Sequence, residues 1–161
     1  FWGVPSDPPV LFTNSGRKRP DIVGGWNPVT GELIHETDES PCNSGKIMIF
    51  FNKLQKKYPK AKKIEIIPDN APYFRSAEIR EYIDKNPRIS LNFLPPYAPN
   101  PDLIGRLWGF AKEKLVKNTY YEKYKTFRCH VFRFLNNISN YKNELSTLMT
   151  ENFQIISYDK Q

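Results

Sequence analysis

The sequence predicts an α/β fold: a mixed sheet made of an antiparallel hairpin plus parallel strands, flanked by helices. Three observations carry this. From Ile64 onward the pattern runs strand, helix, strand, helix, which implies parallel strands joined by a helical crossover. Upstream, Ile22 to Trp26 and Glu32 to Glu36 read as two short strands around Asn27-Pro28-Val29-Thr30-Gly31, a connection with the Pro and Gly of a hairpin turn. Apolar residues recur at helical spacing in residues 45–58 and again in 124–138. A chain of 161 residues, 39% hydrophobic and 14% aromatic, suits one domain and supplies enough apolar surface for a core.

Taken in order, residues 1–20 are rich in Pro and Gly, with Val10 to Thr13 able to form a short strand. Arg17-Lys18-Arg19 is a basic triplet in a turn, either a phosphate contact or a solvated loop. After the hairpin, Ser44 can cap a helix over Gly45 to Tyr58, with Ile47, Phe50, Phe51 and Leu54 turned toward the sheet. Lys53, Lys56, Lys57, Lys60, Lys62 and Lys63 gather beyond that stripe. They are a DNA surface or the solvated face and C-terminal end of a helix, where Lys suits the helix dipole. Ile64 to Ile67 is a strand that ends in Asp69-Asn70. A helix over Arg75 to Asp84 places Ile79, Tyr82 and Ile83 inward, and Ile89 to Leu94 is the second parallel strand.

The segment Pro95-Pro96-Tyr97-Ala98-Pro99-Asn100-Pro101 cannot be regular structure, because its prolines remove donors and fix the backbone. It leads into a helix with Asp102 as N-cap and a core stripe of Leu103, Ile104, Leu107, Trp108, Ala111 and Leu115. Gly105 inside this helix costs roughly 1 kcal/mol against Ala. Asn118 to Tyr121 is a polar, aromatic break. Tyr124, Phe127, Val131, Phe134, Leu135 and Ile138 mark another amphipathic helix, whose other face carries Lys123, Lys125, Arg128 and Arg133. Leu145 to Ser157 shows weak periodicity. The expected division is a core over residues 1–140 and a tail over 141–161.

A net charge of +7 and a pI of about 9.4 favour an anionic partner, and nucleic acid is the usual one. Cys42 and Cys129 lie far apart without paired spacing, so neither a disulfide framework nor a zinc site is expected, and a reducing, cytoplasmic compartment is. No apolar run is long enough to span a membrane, no signal-peptide pattern opens the chain, and nothing points to a small-molecule substrate. His35, alone on a strand, reads as structural or exposed rather than as a metal ligand.

Chemistry concentrates between Ile64 and Leu115. Strand tips at one end of a parallel pair are where such sheets place ligands, and Asp69 sits at that end, a carboxylate fixed by a strand and open on one side. Alone, Asp69-Asn70 could be a turn initiator. With the later motifs it resembles something more specific. Asp-Asn-Ala after a strand, then Phe-Leu-Pro-Pro-Tyr-Ala-Pro-Asn, then Leu-Ile-Gly-Arg-Leu-Trp, resembles the catalytic half of a DDE transposase, in the bacterial insertion-sequence branch of the mariner-like superfamily. The resemblance covers the chain roughly from Thr13 to the tail.

The resemblance implies an RNase H-like fold and two-metal phosphodiester chemistry on DNA. Three carboxylates would hold two Mg2+ or Mn2+ ions, one activating the attacking water or 3′-hydroxyl and the other stabilising the leaving oxygen. Asp69 takes the place of the family's second Asp. Gly105, with residues 70–104 intervening as the family spacing requires, stands where the family has a Glu. It has no side chain and cannot bind metal. Asp102, one turn earlier, is the substitute candidate. The family's first Asp, on the first, central strand, is not seen in this sequence, so the sheet is expected without that strand and catalysis is expected to be impaired. The resemblance also implies DNA as partner, with Arg17, Lys18, Arg19, Asn70, Tyr97, Arg106 and Lys112 as candidate DNA-binding residues, and a homodimer working on paired DNA ends. A DNA-binding or protein-interaction remnant without cleavage is the alternative.

Overall fold

A computed structural model describes residues 20–37, 40–69, 71–93, 103–117 and 119–149. Strands β1 (Val23–Asn27) and β2 (Glu32–Glu36) form the expected antiparallel hairpin, with Val23 opposite Glu36 and Asn27 opposite Glu32. The turn is built by two residues. The Asn27 side-chain oxygen accepts from the backbone N–H of Val29 (3.0 Å) and Thr30 (3.3 Å). Gly31, at φ 67°, supplies the left-handed residue that lets its own N–H return to the Asn27 carbonyl at 2.8 Å.

Helix α1 (Ser44–Lys57) covers one face of this hairpin. Asn43, not Ser44, is its cap: the Asn43 side chain accepts from the Lys46 N–H, and Ser44 is the first helical residue. Ser44 is used elsewhere, its hydroxyl lying 3.1 Å from that of Ser76 and donating to Glu78 at 2.8 Å. β3 (Ile64–Ile66) and β4 (Ile89–Leu91) are parallel, with Ile64 beside Ile89 and Ile66 beside Leu91. Between them, a 3₁₀ turn over Pro72–Arg75 precedes α2 (Ala77–Lys85). The helix expected from Arg75 thus starts two residues later, because Ser76 is extended and its hydroxyl caps α2 by accepting from Ile79 N–H. The second parallel strand is shorter than expected because its partner offers only three residues.

Helices α3 (Leu103–Val116), α4 (Tyr124–Asn136) and α5 (Lys142–Leu148) follow, with a 3₁₀ turn over Ile138–Tyr141 before α5. Two cores result, one on each face of the hairpin. Val23 and Ile34 face α1 and pack with Ile47, Phe50, Phe51, Leu54, Ile79 and Ile89. Ile22, Trp26 and Leu33 face the other way, toward Leu107, Trp108, Phe127, Val131 and Leu145. Alternation along β1 produces this division, since successive side chains leave opposite faces.

Two glycines set how closely the layers approach. A Cβ on Gly24 would lie 2.8 Å from Trp108 Cζ2, and one on Gly25 would lie 2.9 Å from Phe50 Cζ. The bare backbone of β1 is therefore the floor on which α3 rests on one side and α1 on the other. The α/β class expected from the sequence holds, with the hairpin and the parallel pair flanked by helices. Among the described residues these are two separate two-stranded sheets with no strand joining them. The short strand expected over Val10 to Thr13 lies outside the described residues, and so does the proline-rich loop.

Candidate active site

Asp69 lies three residues beyond the end of β3, at the C-terminal end of the parallel pair. The strand delivers it, and a local turn fixes it: Asp69 Oδ1 accepts from the Ala71 N–H at 3.2 Å. Pro72 then opens the 3₁₀ turn, where its missing N–H is no loss. The carboxylate is half-buried, neither sealed in the core nor fully in water.

Asp69 acts on one neighbouring hydroxyl, that of Tyr73. Tyr73, on the 3₁₀ turn, has its hydroxyl held well above the usual phenol range. Burial is the main cause, followed by a hydrogen-bonding contact with Cys42 and the nearby charges of Cys42, Asp69 and Asp21. Asp21 and Asp69 thus act on the same hydroxyl, which stays protonated and can donate. Lys46, buried in the first turn of α1, donates its ammonium to the carbonyls of Asp21 and of Ser40, the latter at 2.9 Å. This pins the segment leading into β1 against α1. The sequence singled out none of Asp21, Tyr73 or Lys46. A lysine inside an apolar helical stripe is the one signal that could have flagged Lys46, because such a residue must find carbonyls or carboxylates when buried.

Gly105 belongs to the other layer. It is half-buried in the first turn of α3, one turn before the buried Leu107 and Trp108. The chain itself links the two sides of the site: Asp21 acts on Tyr73, while the next residue, Ile22, is buried in the α3–α4 core. Arg106 donates to the Leu148 carbonyl at 3.4 Å, at the end of α5. Lys112 is half-buried and lies six residues on, so it projects from a different flank of α3 than Arg106 does. Arg17, Lys18, Arg19, Asn70, Tyr97 and Asp102 lie outside the described residues.

A divalent metal pair asks for several carboxylate oxygens converging on one point. Among the described residues no group of three His, Cys, Asp or Glu side chains could hold a metal ion. Asp69 is one donor, and Gly105 offers none. The donor set of the described residues does not fit a two-metal centre. His35 is not part of the site: it sits on β2 near Asn136 of α4, with its Nδ1 buried and lacking a hydrogen-bond partner. No helix among the described residues is long and apolar enough to cross a membrane.

Comparison with known proteins agrees with the motifs and the geometry. A family model for the DDE superfamily endonuclease matches residues 2–128, most of the chain. The chain is also similar to the "Insertion element IS630 uncharacterized 39 kDa protein" of Shigella sonnei, at 26% identity over 112 residues. That alignment covers 64% of this chain and 33% of the relative, so the chain spans about a third of the relative's length. The hairpin, the parallel pair and their flanking helices fit the RNase H-like architecture expected of such a domain. On the family match over residues 2–128, this chain belongs to the DDE superfamily endonucleases.

Proposed function

We propose that the chain is catalytic-core sequence of an insertion-element transposase, of the kind built for metal-dependent DNA cleavage and strand transfer, and that its own catalysis is impaired. One contrast supports this. Asp69 is held at the strand tip by the Ala71 N–H, while the position of the family's Glu on α3 carries Gly105. Mg2+ or Mn2+, DNA, a second copy of the chain and a cytoplasmic location belong to the same proposal. The second reading, a protein that holds DNA without cutting it, draws on the net charge of +7.

The test is nicking of supercoiled plasmid with Mg2+ or Mn2+, comparing the native chain with Asp69→Ala and Gly105→Glu. The expected outcome is no nicking by any of the three, with DNA binding that persists in EDTA and weakens with salt. Nicking by the native chain that disappears in Asp69→Ala would overturn the impairment and require a substitute ligand, with Asp102 and Asp21 the first to mutate. Nicking restored by Gly105→Glu alone would show that the remaining ligands are already in place. Absence of DNA binding at low salt would remove the nucleic-acid proposal altogether.

A further inference from the structure

We infer that the turn between α1 and β3 is a second DNA-contacting surface, one that grips duplex phosphates at the end of the parallel pair opposite Asp69. The inference rests on the DNA-acting function proposed above and assigns it a surface outside the candidate active site.

Between Lys53 and Lys63 the chain carries six lysines and no acidic residue. Three of them are engaged inside the fold. Lys53 donates to the His35 carbonyl at 2.6 Å and lies 3.4 Å from Glu36. Lys57 lies 3.5 Å from Glu32, and Lys63 lies 2.8 Å from Glu65. Lys56, Lys60 and Lys62 are exposed, and no ion pair involves them among the described residues. The hairpin and β3 therefore neutralise half of the run and leave the rest facing water.

The turn that presents them is built rather than loose. Arg88, just before β4, sends its guanidinium back to three carbonyls of this turn. It reaches Tyr58 O at 2.6 Å, Ala61 O at 2.9 and 3.1 Å, and Pro59 O at 3.4 Å. The Ile64 N–H also bonds the Arg88 carbonyl at 2.6 Å. An arginine spent on backbone carbonyls satisfies that of Tyr58, the C-cap of α1, and those of the turn beyond it. It also adds a fourth positive charge to the turn that carries Lys60 and Lys62. Such a concentration of like charge favours an anionic partner. Phosphates along a duplex are anions of this kind, and lysines contact them without sequence preference.

Location separates this surface from the cutting end. Lys62 precedes β3 and Asp69 follows it, so the two ends lie at most about 25 Å apart along an extended chain. A duplex touching both would run at most about seven base pairs between them at ~3.4 Å per pair. The lysine turn thus fits DNA flanking the bond at Asp69 rather than the bond itself.

The experiment is anisotropy titration of a fluorescent 30-base-pair duplex in EDTA, over a series of salt concentrations. Lys56→Gln/Lys60→Gln/Lys62→Gln is compared with the native chain and with Lys123→Gln/Lys125→Gln/Arg133→Gln, which removes equal charge from the exposed face of α4. All six positions are exposed, and thermal melting confirms that each variant folds. For the turn variant, binding at low salt should fall at least tenfold, and the slope of log K against log salt should shrink by about 2 to 3, at ~0.9 per phosphate contact. The α4 variant should lose markedly less. Equal losses in the two variants would overturn the inference, because net charge alone would then explain binding. A native chain that binds while the turn variant binds equally well would also overturn it, leaving the proposed function intact. A native chain that binds no DNA would fail the proposed function itself.

Discussion

Two positions on α3, Gly105 and Trp108, are one turn apart and answer to different constraints. Trp108 is buried, and its ring lies where a Cβ on Gly24 would come within 2.8 Å, so helix and hairpin fit each other atom for atom. Gly105 stands in the first turn, half-buried, at the place proposed above for the family's carboxylate. The two positions share one face of the helix, so tight packing at Trp108 stands one turn from a position that carries no side chain. The difference teaches that the scaffold does not depend on a side chain at position 105. The helix is held by Leu107, Trp108, Ala111 and Leu115.

The largest expected effect breaks the packing side. Trp108→Ala should cost about 3–5 kcal/mol in urea unfolding, the loss typical of truncating a large buried aromatic. Gly24→Ala drives a methyl into the same ring and should cost about 1–3 kcal/mol, the range for overpacking a well-filled core. The two are one contact seen from both partners, so the double variant should lose less than the sum. Simple additivity would mean that the ring yields to the methyl, and the contrast with Gly105 would weaken.

Smaller effects sharpen the other side. Gly109 lies mid-helix and exposed, and a Cβ there meets nothing within 4 Å. Gly109→Ala should therefore stabilise by up to about 1 kcal/mol, from helix propensity alone. Gly105→Glu should likewise be neutral or stabilising by about 1 kcal/mol, since it replaces a helical glycine and puts a carboxylate near the helix N-terminus. Calorimetric melting of both variants checks this. A clear loss of stability in Gly105→Glu, with Gly109→Ala behaving as expected, would show that the Gly105 position is packed as tightly as Trp108.

Much of this architecture was legible in the sequence because it follows from periodicity. The α1 stripe of Ile47, Phe50, Phe51 and Leu54 is buried as spacing predicted, and so are Phe127, Val131, Phe134, Leu135 and Ile138. β2 has the expected bounds, and β1 is displaced by a single residue. What escaped the sequence depends on pairs distant along the chain. Nothing local to Gly24 or Gly25 announces that Trp108 and Phe50 will press on them. Nothing near Arg88 announces that its guanidinium will reach back to Tyr58 and Ala61. The place of Asp69 just beyond a strand was legible from the sequence, whereas Asp21, Tyr73 and Cys42 meet only after α1 and the parallel pair have packed. Helix starts were misassigned for a smaller reason: Asn43 and Ser44 both have capping side chains, and the contact of Ser44 with Ser76 and Glu78 decides between them.

The smallest expected effect tests where the acid sensitivity of the molecule lies. His35 sits between the hairpin and α4, on the packing side. Its pKa is lowered from the ordinary 6.5, first by burial and then by the Lys53 ammonium, against a hydrogen-bonding contact with Asn136 and the charge of Glu36. The folded protein therefore prefers the neutral ring. On acidification below about pH 6.5 the unfolded chain takes up this proton before the folded one does, so the unfolded state binds more protons and folding stability rises with pH through that window. The contribution is fully present above pH 6.5 and is lost as pH falls toward the depressed folded value. Urea unfolding at pH 7.5 and 5.5 should show a smaller difference for His35→Gln than for the native chain. An unchanged difference would place the acid sensitivity elsewhere in the molecule.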